Sequence, residues 1–300
     1  MRFADIGQQL RAYRLESGLR AEEIAARLGV SRAALYRYEK GEVIKLDTIR
    51  RLAELLKISP PSLLGIGVEY FSRPPAMQER LRQVEEGAEQ VLQVGGALCF
   101  HVQTEAHDGA LAEAMAEAAD ASPERLIARA AADQMLGLLQ ARRRLYAARK
   151  PSIIAMLGEG ALRRLLAEGV GGALATSDRV RARCRAAARN EAEAVADLMA
   201  AEPMGLQLGL LAGADPAAPF LVLRGRDRAH LVAGAFPADA HPTAAVGVGT
   251  VTASDEAVAI HQRVAEAAWR DAVKGQAAAN RVREILRETA AASGASLAAA

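Results

Sequence analysis

Hydrophobic positions near the start of the chain recur at helical spacing, in short blocks separated by glycine and polar residues. Within residues 19–41 (LRAEEIAARLGVSRAALYRYEKG) the apolar positions fit two short helices that pack on each other: Ile24, Ala25, Leu28, Val30 and Leu35. Gly29 lies between the two helices, where a tight turn needs a residue that tolerates positive φ. The pattern predicts one helix over 21–28 and a second that is capped by Ser31 and ends near Gly41.

The flanking segments extend this pattern to five helices. Residues 5–16 have the spacing of an opening helix, and Asp47 is expected to cap a fourth helix. Ser59 precedes two prolines, an arrangement that favours the start of a last short helix, which closes near Leu64. Glycines and prolines in 65–75 then predict a domain boundary.

The second helix of the central pair leaves one side basic. Leu35 and Tyr38 are predicted to point back into the domain, whereas the opposite side resembles the face that a recognition helix lays in the major groove. We expect base contacts from Arg32, Ala33, Tyr36 and Arg37. We expect phosphate or supporting contacts from Arg20, Ser31, Lys40 and Lys45.

Residues 6–64, with GLRAEEIAARLGVSRAALYRYEKGE at their centre, resemble the phage-repressor (Cro and xenobiotic-response-element, XRE) helix-turn-helix class. The resemblance implies an all-α, five-helix, lambda-repressor-like DNA-binding domain over residues 1–66. In this class an Arg of the first helix pairs with the Glu that ends the recognition helix. Arg14 and Glu39 occupy those positions, so the resemblance implies a structural ion pair between them.

The chain departs from this class at the start of the first motif helix. Many members have a Thr or Asn cap there, followed by a Gln that binds a phosphate, whereas this chain has Arg20 and Ala21. The hydrogen bond from that Gln to the recognition helix is therefore lost, although Arg20 is long enough to reach a phosphate.

Between Met77 and Val102 the apolar and small residues alternate in steps of four and three. Such a heptad spacing predicts a long helix that packs against another helix, within the chain or across a dimer. Gly95 predicts a break or a close crossing in this helix. A second long helix is expected from 122 to 150. Together these define a long-helix connector over 76–149, for which a helical hairpin and a dimer interface are both open.

After Pro151 short apolar runs alternate with helical stretches. FLVLR (220–224) and HLVAGAF (230–236) flank a polar turn, which predicts a β-hairpin. Strands mixed with helices predict an α/β or α+β domain over 151–275. The Ala-rich residues 276–300 are expected to form a helix that frays into a disordered tail. The predicted fold class is thus multidomain.

Composition and charge refine this picture. The 300 residues are 51% hydrophobic, which is enough for two or three domains with real cores. The formal charge is only +2, but residues 27–51 carry seven basic and three acidic side chains around the recognition helix. Two distant cysteines form no disulfide framework and fit a reducing compartment. No apolar run approaches the ~20 residues that span a bilayer, so we expect a cytoplasmic protein without a membrane partner.

Residues with metal-binding or catalytic chemistry are sparse. Cys99, His101, His107 and Asp108 are metal-ligand types, but their spacing matches no zinc signature, and a buried thiol with surface histidines is the favoured interpretation. No catalytic set and no glycine-rich phosphate loop is readable, so we expect no enzyme activity, no cofactor and no metal. Arginines near the hairpin turn could hold an anionic ligand or could simply be solvated: Arg224, Arg226 and Arg228.

The run FLVLRGRDRAHLVAGAFPADAHP, within the order of strands and helices around it, has a weaker resemblance to phospholipase-D-like effector domains attached to some bacterial regulators. The catalytic members of that superfamily carry a His-x-Lys motif, whereas this chain has His230-Leu-Val. The resemblance therefore implies no phosphodiester chemistry here.

These observations predict a transcriptional regulator, a repressor, that binds an inverted repeat of double-stranded DNA as a homodimer. Its C-terminal part is expected to sense a small-molecule effector or to set the oligomeric state. Two alternatives stay open: an enzyme of unknown reaction with an appended DNA-binding module, and a phage-derived or antitoxin-like interaction protein that binds DNA.

Overall fold

A computed structural model describes residues 3–64, 67–174, 177–213, 215–234 and 236–298. The helices are α1 (Phe3–Ser17), α2 (Ala21–Leu28), α3 (Arg32–Glu39), α4 (Leu46–Leu56), α5 (Pro60–Leu63), α6 (Pro74–Glu86), α7 (Glu105–Asp120), α8 (Arg125–Arg149), α9 (Glu159–Glu168), α10 (Asp178–Ala201), α11 (Asp255–Asp271) and α12 (Gly275–Ala298). The strands are β1 (Val68–Phe71), β2 (Ala88–Val94), β3 (Ser152–Gly158), β4 (Leu206–Leu211), β5 (Phe220–Gly225), β6 (Ala229–Ala233), β7 (Gly249–Thr252) and β8 (Val273–Lys274).

The first five helices form the predicted all-α domain around fully buried side chains: Leu10, Ile24, Leu35, Leu52 and Leu63. Gly29 ends α2 with φ 71°, as the turn between the motif helices requires. One detail of the prediction is wrong, because α4 begins at Leu46 with Lys45 as its N-cap. Asp47 lies in the first turn instead, where its carboxylate is favoured by the helix dipole and lies 3.3 Å from Arg50.

The rest of the chain is built on an eight-stranded mixed sheet of order β1-β7-β6-β5-β2-β3-β4-β8. Strands β2, β3 and β4 are parallel, and the remaining neighbours pair antiparallel. The predicted hairpin is confirmed as β5 and β6, with Phe220 opposite Ala233. The multidomain fold class, helical domain first and mixed α/β domain after it, is therefore confirmed.

The long helix predicted from the heptad spacing is wrong beyond Glu86. Gly87 ends α6, and the following residues form β2, a strand in the interior of the sheet. A short apolar run such as VLQV suits a buried strand as well as a helix, so spacing alone could not distinguish them. The seam residues Met77 and Leu81 are buried within the chain itself, so this seam offers no dimer interface.

The sheet draws two strands from before residue 151. Strand β1 comes from the segment predicted as a domain boundary, and β2 comes from the predicted connector 76–149. The sheet domain therefore extends well N-terminal to the 151–275 expected from sequence. The predicted C-terminal helix is α12, which runs to Ala298; the end of the predicted tail lies outside the described residues.

The two faces of the sheet are covered unequally. Val91, Ile153 and Leu208 point to the face where the main core joins the sheet to the other helices. The opposite face, called here the α11 face, carries a smaller cluster in which Phe220 and Val222 pack against α11.

The helical domain is fixed to the sheet domain through α1. The Gln83 side chain of α6 donates to the carbonyl oxygen of Gln8 at 2.8 Å. The Tyr13 ring stacks on Phe71 of β1 at a centroid distance of 5.4 Å. The Glu16 carboxylate accepts the backbone N–H groups of residues 72 and 73 at 2.7 and 3.0 Å. These contacts hold the two parts in one orientation.

Within the described residues, no helix is both long enough and apolar enough to cross a bilayer.

Candidate nucleic-acid interface

Helix α3 is positioned by its ends and by one buried side chain. The Ser31 hydroxyl accepts the Ala34 N–H at 3.1 Å and so caps the first turn, as the sequence predicted. Leu35 is fully buried against the other helices. The opposite side of α3 faces solvent and carries the four residues predicted to contact bases, all of them exposed: Arg32, Ala33, Tyr36 and Arg37.

The two arginines of this face are each paired with a carboxylate. Arg32 lies 2.8 Å from Glu22 of α2, and its guanidinium also stacks over the Tyr36 ring at 5.3 Å. Arg37 lies 3.5 Å from Glu42. All four charged side chains are more than half exposed, and solvent screens ion pairs of this kind, so they contribute little to stability. The arginines can therefore exchange these partners for DNA at small cost.

The residues predicted to contact phosphates lie at helix ends next to α3. Lys40 follows the last residue of α3, and Lys45 precedes α4; both are exposed. Arg20 is the N-cap of α2, with its side chain 82% exposed. Glu23 accepts the Arg20 backbone N–H at 2.7 Å, so the start of α2 is capped without the usual Thr or Asn.

Arg14 and Glu39 form a bidentate ion pair between α1 and the end of α3. The Nε–Oε1 and Nη2–Oε2 distances are 2.5 and 3.0 Å, and the side chains are 14% and 6% exposed. Burial opposes the charge of Arg14, but the hydrogen bonds to Glu39 outweigh burial and raise the pKa of the guanidinium. Because removal of one partner leaves a nearly buried charge, the pair fixes the orientation of α3.

The backbones of α1 and of the end of α3 lie close together, which supports the same contact between these helices. A Cβ placed on Gly7 of α1 would lie 2.4 Å from the carbonyl oxygen of Tyr38 and 2.8 Å from that of Glu39. The end of α3 therefore rests directly on the backbone of α1, and position 7 has no room for a side chain.

The hairpin arginines do not converge on one site. Arg224 is half-buried and donates to Gln262 of α11. Arg226 is 86% exposed and lies 3.6 Å from Glu89. Arg228 is exposed in the turn, where its carbonyl oxygen accepts the Gly225 N–H at 2.9 Å. Each of the three arginines is therefore solvated or paired on its own, as charges of a hairpin commonly are.

Sequence reasoning missed a buried polar cluster between α6 and α8. Arg142 binds the Glu85 carboxylate through two nitrogens, at 2.9 and 2.5 Å, and His101 Nε2 lies 3.0 Å from the same carboxylate. Gln78 bonds to Arg142 and donates to the carbonyl oxygen of Phe236 at 3.0 Å. Glu85 and Arg142 are 57 positions apart, so no local pattern in the sequence pointed to their pairing.

The cluster shifts two pKa values in opposite directions. Burial disfavours both charged forms. The charge and hydrogen bonds of Arg142 nevertheless lower the pKa of Glu85 to about 2. Hydrogen bonds to Cys99 and Glu85 and the charge of Glu85 raise the pKa of His101 to about 9. Both groups are therefore charged at neutral pH.

The interpretation of the histidines near Cys99 as surface residues is wrong. His101 is 7% exposed and His107 is 4% exposed, because the first is held by Glu85 and the second lies in the first turn of α7 against the core. Cys99 is buried, as expected. Among the described residues, no three His, Cys, Asp or Glu side chains are grouped to hold a metal ion.

The N-terminal domain matches a known protein family. Residues 5–64 match a family described as "Helix-turn-helix domain", and this part of the chain is a helix-turn-helix domain. No curated protein matches the chain. A similar solved structure is TrmBL2, described as "an archaeal chromatin protein" that "shows a novel mode of DNA binding"; the identity is 14% and the TM-score 0.35. The match covers 76% of this chain but only 62% of TrmBL2.

Proposed function

We propose that this protein is a sequence-specific regulator of transcription, of the XRE helix-turn-helix class, that binds double-stranded DNA through α3. The observation that carries the proposal is the solvent-facing side of α3 within a matched helix-turn-helix domain. Arg32, Tyr36 and Arg37 project from a helix whose orientation is fixed by the Arg14–Glu39 pair. A recognition helix needs this combination of an adaptable outer face and a rigid support.

The proposed contacts divide into two kinds. Arg32, Ala33, Tyr36 and Arg37 meet base edges, since arginine forks match the two acceptors of guanine in the major groove. Lys40 and Lys45 neutralise phosphates, and Arg20 at the start of α2 adds a third phosphate contact. Ser31 supports these contacts by capping the first turn of α3.

The regulator is proposed to act in the cytoplasm as a homodimer on an inverted repeat. One recognition helix buries too little surface for tight specific binding, and a two-fold protein would place its half-sites about one helical turn, ~34 Å, apart. The resemblance to phage repressors favours repression over activation.

The sheet domain is proposed to be a non-catalytic part that senses a ligand or sets the oligomeric state. The enzyme alternative would need an accessible nucleophile. Cys99, His101 and Glu85 follow the order of a thiol triad, but the Cys99 residue is 1% exposed and its Sγ lies 4.0 Å from His101 Nδ1. Glu85 is moreover engaged by Arg142. We therefore assign this cluster to stability, as a buried link between α6 and α8.

Mapping of the genomic sites bound by the intact protein, together with transcript levels after its gene is deleted, tests the proposal. A regulator of this kind gives a small set of sites that share one motif, and genes beside them rise in expression when a repressor is lost. Uniform coverage of the genome without a motif would contradict sequence-specific regulation, and falling expression beside the sites would contradict repression.

A further inference from the structure

The sheet domain reaches the helix-turn-helix domain beside the turn between α1 and α2. Arg73, the N-cap of α6, extends its guanidinium over Gly18 in that turn. A Cβ placed on Gly18 would lie 2.7 Å from Cζ of Arg73, so the guanidinium packs directly on the glycine backbone. The φ of Gly18 is +68°, a conformation that suits glycine. The turn therefore leaves space for this arginine.

The segment that carries Gly18 borders the outer face of α3 on both sides of this glycine. Before it, Cζ of Arg14 lies 6.0 Å from the centre of the Tyr36 ring. After it, the Glu22 carboxylate lies 2.8 Å from Arg32. Since Tyr36 and Arg32 belong to the proposed base-reading face, Gly18 lies at the border of the proposed DNA interface.

Arg73 also lies close to a residue that is already proposed to bind a phosphate. Gly18 is two residues before Arg20, so the Cα atoms of these residues are at most about 7 Å apart. The guanidinium that rests on Gly18 is therefore near enough to Arg20 for the two arginines to reach neighbouring phosphates of one DNA strand.

The backbone of Arg73 is fixed, whereas its side chain is free to move. Glu16 accepts the backbone N–H of Arg73 at 3.0 Å and that of Ser72 at 2.7 Å. Arg73 is exposed, and within the described residues its side chain forms no ion pair. Other exposed arginines of the sheet domain are unpaired as well, so it is the position beside α3 that distinguishes Arg73.

The charge of Arg73 is not explained by the stability of its own helix. A positive charge at the N-terminus of a helix is opposed by the helix dipole, and Arg73 stands at the N-terminus of α6. Its charge does complement a nearby excess of acidic groups, because residues 16–23 contain three glutamates and one arginine. Without Arg73, a phosphate that approaches this border would meet mainly negative charge.

We propose that Arg73 binds a phosphate of the DNA backbone, so that the sheet domain takes part directly in DNA binding. The proposal rests on the role proposed for α3, which places the duplex against this border. A guanidinium can donate two parallel hydrogen bonds to a phosphate. Because phosphate contacts read no bases, Arg73 adds affinity and leaves the preferred sequence unchanged.

The first test is the salt dependence of binding to the operator that the intact wild-type protein selects. R73Q should bind about five- to tenfold more weakly at 0.1 M salt and should reduce the slope of log K against log salt by about one. R73K, which keeps the charge, should keep the wild-type slope. The matched control is R270Q on α11, which removes another exposed arginine without an ion pair in the described residues and should bind as wild type does. A wild-type slope in R73Q would overturn the proposal, whether or not its affinity falls.

The second test locates the contact on the DNA. Operators are made with an uncharged methylphosphonate in place of one phosphate at a time. We expect one position at which this change weakens binding by the wild-type protein but not by R73Q, next to the position that no longer affects R20Q. If every substitution weakens wild type and R73Q equally, Arg73 only links the two domains and the proposal is wrong.

These outcomes separate the failure of this proposal from the failure of the role proposed for α3. If the wild-type protein selects no operator, both proposals are wrong. If it selects one whose motif depends on Arg37, while R73Q binds that operator with the wild-type affinity and slope, only the contact of Arg73 is wrong.

Discussion

At the scale of single residues, Arg37 and Lys45 separate the two kinds of DNA contact that we propose. Arg37→Ala should relax the preference at one base pair, because a bidentate contact to guanine discriminates by roughly 1–3 kcal/mol. Lys45→Ala should weaken all duplexes alike and reduce the slope of log K against log salt by about one. Fluorescence anisotropy on a selected operator and on single-base variants, at several salt concentrations, measures both effects. Identical binding curves for wild type and both variants would contradict the assignment of Arg37 to a base contact and of Lys45 to a phosphate contact.

His101 gives a pH dependence whose direction follows from its partners. Its folded pKa of about 9 exceeds the ordinary value of 6.5, so its stabilising contribution is complete below about pH 6.5 and is lost as pH rises through about 9. The loss is at most of the order of 3 kcal/mol. Urea unfolding at pH 6.5 and pH 9.5 should show this fall in the free energy of unfolding of the wild-type protein. The fall should be smaller in His101→Gln.

The groups that face His101 set the control for that measurement. Glu85 and Arg142 keep their charges across this range, since the pKa of Glu85 is lowered to about 2 and arginine stays protonated. His241→Gln, in a loop outside the cluster, should retain the wild-type fall. Equal pH dependence in wild type and His101→Gln would show that His101 is not charged in the folded protein.

At the scale of elements, the contact of α1 with α3 predicts the effect of a single methyl group. Gly7→Ala should destabilise the protein by about 1–3 kcal/mol, because its Cβ meets backbone atoms that cannot move aside. The matched control is Gly137→Ala in α8, where a Cβ meets nothing within 4 Å; helix propensity alone should stabilise that variant by up to ~1 kcal/mol. Thermal unfolding compares the two, and a Gly7→Ala variant as stable as wild type would contradict the close contact.

The elements also show what the sequence could and could not predict. The helix pair α2 and α3 was readable because its signals are local: a glycine with positive φ at 29 and a capping serine at 31. The prediction of a helix over strand β2 is wrong, since apolar residues on both faces of the strand give it the apolar density of a helix. The ion pair of Arg14 with Glu39 came from a family resemblance, whereas the Glu85 cluster spans distant positions without such a pattern and could not be predicted.

At the scale of the whole molecule, the helix-turn-helix domain is supported by the sheet domain. A fragment that ends at Leu64 lacks Phe71, which stacks on Tyr13, and the backbone N–H groups that Glu16 binds. We expect the fragment to fold but to unfold at a lower temperature than the same domain in the intact chain. Hydrogen exchange of the α1 amides in both proteins measures this difference in stability. Equal protection of α1 in both proteins would show that the contact contributes no stability.

The central claim is that the exposed face of α3 determines the DNA sequence that the protein binds. The most direct test is selection of bound duplexes from a randomised pool with the intact protein, with R32A/R37A, and with the control R125A/R129A. Arg125 is exposed and Arg129 is half-buried. Both are paired with Asp120, as Arg32 and Arg37 are paired with their own carboxylates, but they lie on α8. We predict one enriched motif for wild type and control and a degraded motif for R32A/R37A. The same motif from all three proteins, or no motif from wild type, would contradict the account.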